Sequence, residues 1–149
     1  MIDEIVAGCG SVLEVGCGGG QLACRLTEHH PGLRVTGVDL AVEQVERATR
    51  RANTLPADRR GRLDFQTASA LELPFRDNSF DAAVSIGSIK HWPDQARGLR
   101  EMVRVLKDGG LIVVAELDRG GRSDDIRALA RTFKFTALLR PLYLLVVRT

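Results

Sequence analysis

No sign of charge dominates this chain. Its 21 Lys and Arg nearly balance 19 Asp and Glu, leaving a net charge of +2, too weak a field to draw in nucleic acid or an anionic membrane surface. A nucleic-acid substrate is therefore not implied. Cysteine is scarce: Cys9, Cys17 and Cys24 lie at gaps that fit neither a zinc ligand set nor a secreted disulfide framework. They are expected to be reduced thiols of a cytoplasmic protein, each packed as a small hydrophobe. Nothing has the form of a leader, since the opening Ile2-Asp3-Glu4 is acidic where a signal peptide is basic. The most apolar late stretch, Ala137 to Val147, is interrupted by Arg140 and Pro141 and falls short of the ~20 residues that cross a bilayer. No membrane insertion is expected. Internal repeats, low-complexity blocks and linkers are missing too, so 149 residues with 44% hydrophobic content read as one domain over 1–149.

What is present is an alternation of strand-like and helix-like segments, the pattern of a parallel sheet covered by helices on both faces. Strands are expected at Ser11 to Val15, Arg34 to Val38, Arg62 to Gln66, Phe80 to Ile86 and Leu111 to Leu117, all short and largely apolar. Helices are expected at Gly20 to Glu28, Ala41 to Asn53 and Asp94 to Lys107. In the last, Ala96, Leu99, Met102, Val103 and Leu106 recur at helical steps as one buried stripe, and Asp108-Gly109-Gly110 should then turn the chain into the fifth strand. A polar loop from Asp118 to Asp125 leads to a short helix, Asp124 to Thr132. Phe135 to Leu139 and Leu142 to Val147 read as a closing antiparallel hairpin.

The informative stretch is Leu13-Glu14-Val15-Gly16-Cys17-Gly18-Gly19-Gly20, a strand running into four glycines before a helix. Glycines serve where backbone turns tightly and approaches a ligand. A dinucleotide loop, G-x-G-x-x-G, would need glycine at position 21, where the chain has Gln21, and the Gly-Lys-Ser/Thr of a triphosphate loop is absent. The pattern present is acidic-x-G-x-G-x-G, through Glu14, Gly16, Gly18 and Gly20. It resembles the first motif of class I S-adenosylmethionine-dependent methyltransferases. Glu14 suits a cationic ligand, or is a strand-end carboxylate. Asp39, at the end of the second strand, can accept two ribose hydroxyls, or cap the helix that follows.

From Val12 to about Glu116 the chain is similar to the ubiquinone and menaquinone biosynthesis type of methyltransferase, through VLEVGCGGG, VTGVDL, LELPFRDNSFDAAVS, IKHWPD and LREMVRVLKDGGLIVVAE. The resemblance implies a Rossmann-like, doubly wound, mostly parallel α/β sheet of about seven strands, with S-adenosylmethionine across the carboxyl ends of the first ones. Residue by residue, it implies that Gly16, Gly18 and Gly20 approach the methionine portion, Asp39 holds the ribose and Leu40 packs beside the adenine. Cys17, Ser85 and Gly87 complete the cofactor-binding set. Where the family usually has an Asp for the adenine amine, this chain has Ser69, which can accept through its hydroxyl or leave the task to the Ala70 backbone. A neutral acceptor is roughly half as strong as a charged one, so modest cofactor affinity is expected. The ends are short beside those of relatives, and the site should be open. Either a second copy covers it as a homodimer, or the natural chain is trimmed, or the lid function is lost.

Methyl transfer is an in-line displacement that gains most from alignment and exclusion of water. If a base is used, His91 in the loop after the fourth strand is the candidate; its alternative is a surface or capping histidine. Trp92 is a packing residue or a substrate platform. Gly87 marks close approach to the methyl or an ordinary strand-end turn. The Asn/Asp-Pro-Pro-aromatic motif of base-amine methylases is replaced by Ser85-Ile86-Gly87-Ser88, and no Pro-Cys nucleophile occurs. The acceptor is thus expected to be a small molecule. Arg119 and Arg122 could steer an acidic acceptor or be solvated loop charges. Two rival readings remain: a non-catalytic S-adenosylmethionine-binding or accessory subunit, and a NAD-dependent oxidoreductase.

Overall fold

Strand β1 (Ser11–Val15) is buried on both sides, with Val12, Leu13, Glu14 and Val15 all shielded from water. Such a strand requires a helix layer over each face. Leu13 and Val15 pack in one cluster with Leu99, Met102 and Val105, while Val12 packs in a second with Ala23 and Leu26. The two clusters are the two halves of the core. Truncating Leu99 or Met102 to Ala would cost about 2–5 kcal/mol in such a setting.

The computed structural model describes residues 2–117 and 142–148. Its further strands are β2 (Arg34–Asp39), β3 (Leu63–Thr67), β4 (Phe80–Ile86), β5 (Leu106–Leu117) and β6 (Leu142–Arg148), in the sheet order β3-β2-β1-β4-β5-β6. All neighbours are parallel except β5 and β6, which run antiparallel. The helices are α1 (Ile2–Ile5), α2 (Gln21–His29), α3 (Val42–Asn53), α4 (Ala57–Arg60) and α5 (Gln95–Val105), with a 3₁₀ turn at Ile89–His91. Helix α2 covers one face and α5 the other. The result is a mostly parallel, Rossmann-like α/β sheet. No helix of the described residues is long and apolar enough to cross a membrane.

Expectations around the fifth helix and fifth strand need correction. The helix ends at Val105, two residues before Lys107, and β5 starts at Leu106 rather than Leu111. Asp108-Gly109-Gly110 does not separate helix from strand. Instead the register beside β4 jumps from Leu106 to Leu111, a bulge in which Gly109 takes φ +74°. The stripe shifts with it: Gly98, Leu99, Met102 and Val105 are buried, whereas Val103 faces outward. The expected loop at 118–125, helix at 124–132 and first hairpin piece at 135–139 lie outside the described residues, as do Arg119 and Arg122. The span expected as the second hairpin piece forms β6, which pairs with β5.

Candidate active site

Strand order reverses between β1 and β4, because β2 and β3 extend to one side and β5 to the other. Loops leaving the carboxyl ends of β1 and β4 therefore diverge, and ligands of open α/β sheets sit in the crevice this leaves. Here it is a cleft of about 370 Å³, within the range of small-ligand sites. Of the residues singled out from the sequence, Gly16, Gly18, Asp39, Leu40, Ser69, Ala70, Gly87 and His91 line it.

The glycine loop is tied across to β2. Gly16 and Cys17 donate their amides to the Val38 carbonyl at 2.8 and 2.9 Å, and Gly18 donates to Asp39 Oδ2 at 2.8 Å. Asp39 Oδ1 accepts from Ala41 at 3.0 Å, so the carboxylate braces both loops while lying on the cleft wall. It is not the cap of α3, whose N-cap is Ala41. Leu40 is 73% exposed and offers the cleft an apolar surface.

Three glycines of the loop have different tasks. All adopt left-handed backbone, yet only Gly18 has open space where a Cβ would stand. At Gly16 a Cβ would run into Ser88, and Ser88 Oγ in turn accepts the Trp92 indole N–H at 3.0 Å. Gly20 is buried, and its Cβ would meet Ala48 and Phe65 at 2.9 Å. It packs α2 closely on α3 and β3 and does not line the cleft, where the sequence suggested an approach to a ligand.

Glu14, Cys17 and Ser85 also stand behind the cleft wall, buried and outside its lining. Glu14 is 5% exposed and its Oε2 has no hydrogen-bond partner. Burial pushes its carboxyl up to about 8, the Asp39 charge adds to the shift, and the Ala23 backbone amide offsets part of it. Glu14, which the sequence suggested for a cationic ligand, stands behind the cleft lining, where strand alternation points it at α2. Burial also pushes the Cys17 thiol up to about 12, with Glu14 and Asp39 adding to it, which leaves it inert at neutral pH. Ser85 Oγ is wholly buried without a partner.

The turn after β4 brings Ile86, Gly87, Ser88, His91, Trp92 and Pro93 to the cleft. His91 is exposed there. Trp92 lines the cleft and packs on the core and against Gly98. Beside His91, Lys90 Nζ donates to Glu116 Oε1 at 2.7 Å, with Glu116 3% exposed and Lys90 37%. This pair was missed from the sequence. A charge set in the apolar run Val113-Val114-Ala115-Glu116 was the signal available.

The opposite wall is made by Ala68, Ser69, Ala70 and Leu71. Ser69 Oγ accepts the Leu71 amide at 3.1 Å, so its hydroxyl already has one local partner. Among the described residues no group of His, Cys, Asp and Glu could hold a metal ion.

A family model described as a methyltransferase domain matches residues 13–114. The O-methyltransferase resE of Aspergillus sclerotiorum is 36% identical over 120 residues, covering 80% of this chain and 44% of that protein. The ubiquinone/menaquinone biosynthesis C-methyltransferase UbiE of Geobacter sp. is 37% identical over 110 residues, 73% of this chain and 46% of the relative. The chain thus spans about half the length of these curated relatives. In fold it resembles the PH0226 protein of Pyrococcus horikoshii, with a TM-score of 0.82 at 22% identity over 99% of this chain and 85% of that one. With 102 consecutive residues matched, from Leu13 to Val114, the chain belongs to the methyltransferase domain family.

Proposed function

We propose that residues 1–149 form one S-adenosylmethionine-binding domain that transfers a methyl group to a small-molecule acceptor. The observation that carries this reading is Asp39, an acidic group on the cleft wall at the end of β2, fixed by the Gly18 and Ala41 amides. Its oxygens can each accept from a ribose hydroxyl as well. The other residues fit the same ligand. Gly18 leaves room for a close approach, Leu40 and 69–71 flank an adenine from two sides, and Gly16 and Gly87 border the end where β1 and β4 diverge. Glu14 and Cys17 support the loop from behind. A dinucleotide is disfavoured because α2 opens on Gln21, where its loop needs glycine.

S-adenosylmethionine, when bound, supplies an electrophilic methyl on a sulfonium. The chain's own task is then to orient and to exclude water. Trp92 and Ile86 give the cleft apolar walls, and the exposed His91 on the same lining supports a role as base toward an acceptor oxygen or nitrogen. The names of the relatives, an O-methyltransferase and a C-methyltransferase, support a small acceptor. The thiols of Cys17 and Cys24, in no disulfide, suit a reducing cytoplasm. Light scattering at rising concentration tests whether a second copy covers the cleft.

Calorimetric titration with S-adenosylhomocysteine tests the binding half of the proposal, and labelled-methyl transfer to a panel of phenols, carboxylic acids and amines tests the rest. Binding of NAD in place of S-adenosylhomocysteine would overturn the cofactor; binding without any transfer would leave an accessory subunit.

A further inference from the structure

The connection from β3 to β4 is unlike the other parallel crossovers here. It has no helix, and residues 68–79 contain only the isolated bridge between Ser69 and Glu72. Yet this segment supplies the cleft wall at 69–71. A stretch without a hydrogen-bonded ladder must be held by other groups if its backbone is to stay in place.

Those groups come from α5, behind the wall. Glu101 Oε2 accepts the Leu73 amide at 2.8 Å. Arg104 donates to the Leu73 carbonyl at 2.9 Å and to the Phe75 carbonyl at 2.8 Å. The two side chains hold each other through Arg104 Nε to Glu101 Oε1 and Nη2 to Oε2, both 2.8 Å, and Asp77 takes another guanidinium N–H at 2.7 Å. Leu73 is therefore gripped at both its amide and its carbonyl, two residues past the wall. Neither Glu101 nor Arg104 lines the cleft.

We propose that Glu101 and Arg104 are positioning residues for cofactor recognition: by clamping Leu73 and Phe75 to α5, they fix the wall at 69–71 where it receives the adenine end of a ligand. The inference rests on the cofactor reading above. A charged, bidentate pair suits the task, since its hydrogen bonds are both stronger and more directional than neutral ones.

The test uses the whole chain and the variants Arg104→Gln, Arg104→Lys and Glu101→Gln, at a temperature where circular dichroism shows each folded. The Kd for S-adenosylhomocysteine should rise about tenfold or more in Arg104→Gln, the loss expected from hydrogen bonds to a charged group. Arg104→Lys should recover part of it, because one ammonium can still reach a carbonyl. The Kd for 5′-methylthioadenosine, which keeps the adenosine and lacks the amino-acid end, should rise by the same factor. Amide exchange at Leu71 and Leu73, which needs no ligand, should quicken in Arg104→Gln. A lowered melting temperature with both Kd values and both exchange rates unchanged would reduce the clamp to a structural brace and overturn the proposal. Failure of the wild-type chain to bind either ligand would instead overturn the cofactor reading, and this inference with it.

Discussion

Asp39 Oδ2 and the Gly18 amide lie 2.8 Å apart, so the carboxylate that ends β2 also fixes the glycine loop that ends β1. Asp39→Ala should therefore have two effects. S-adenosylhomocysteine binding should weaken by ~1.5–3 kcal/mol, the cost of losing hydrogen bonds to a charged acceptor. Thermal stability without ligand should fall by roughly 1–2 kcal/mol, because the Gly18 and Ala41 amides lose their acceptor. Asp39→Asn, with one carbonyl oxygen for two amides, should fall between. Calorimetry and thermal melts measure the two separately, and unchanged affinity in a folded Asp39→Ala would remove Asp39 from the binding site.

The loop glycines should separate by phenotype. Gly18→Val should leave the chain folded, at a cost of roughly 1–2 kcal/mol for its left-handed backbone, while abolishing ligand binding, since its side chain enters open cleft. Gly16→Ala should act on stability as well, because the added carbon strikes Ser88 and disturbs its bond from Trp92. Melting curves with and without S-adenosylhomocysteine check both. Normal binding by Gly18→Val would sink the proposed cradle.

Glu14 gives a pH signature. Its folded carboxyl titrates at about 8 against an ordinary 4.5, so between those values the folded chain keeps a proton that the unfolded chain has released. Stability from this group is full below about 4.5 and is lost as pH rises through about 8. Glu14→Gln cannot ionise and should gain on the wild type by about 1–3 kcal/mol between pH 5 and pH 8.5. Denaturant titrations across that range measure the gap. Parallel curves would mean that Glu14 is charged in the folded chain.

Ser69 tests the far wall. Ser69→Asp can keep one oxygen on the Leu71 amide, as the hydroxyl does now, and turn the other toward an adenine amine. Binding of S-adenosylhomocysteine should tighten by ~0.5–1.5 kcal/mol. The inosine analogue, with a carbonyl in place of the amine, should be repelled, so discrimination rises. Equal affinities for both ligands in both proteins would place Ser69 away from the adenine edge.

Much of this architecture was legible in the chain itself, for identifiable reasons. β1 and β4 occupy the spans expected of them, because they are apolar runs closed by glycine or polar residues on both sides. β5 was harder: Asp108-Gly109-Gly110 has the composition of a turn, yet parallel pairing with β4 resumes beyond it and absorbs it as a bulge. At the site, spacing singled out Gly16, Gly18 and Asp39, and the family resemblance pointed to Ser69; all four line one cleft. Spacing could not tell Gly18 from Gly20, since both are left-handed glycines and only packing decides which one faces a helix. The grip of Glu101 and Arg104 on Leu73 spans 28 to 31 residues, a separation no local pattern reports.

Trp92 is the single tryptophan of the chain, and it stands on the cleft wall with its indole N–H bonded to Ser88. Indole emission responds to the polarity and hydrogen bonding of its surroundings, so the entire tryptophan fluorescence of this chain originates beside the cleft. On the proposed reading of the cleft, Trp92 is an optical reporter of occupancy, and titrating compounds into the unlabelled chain should shift its emission.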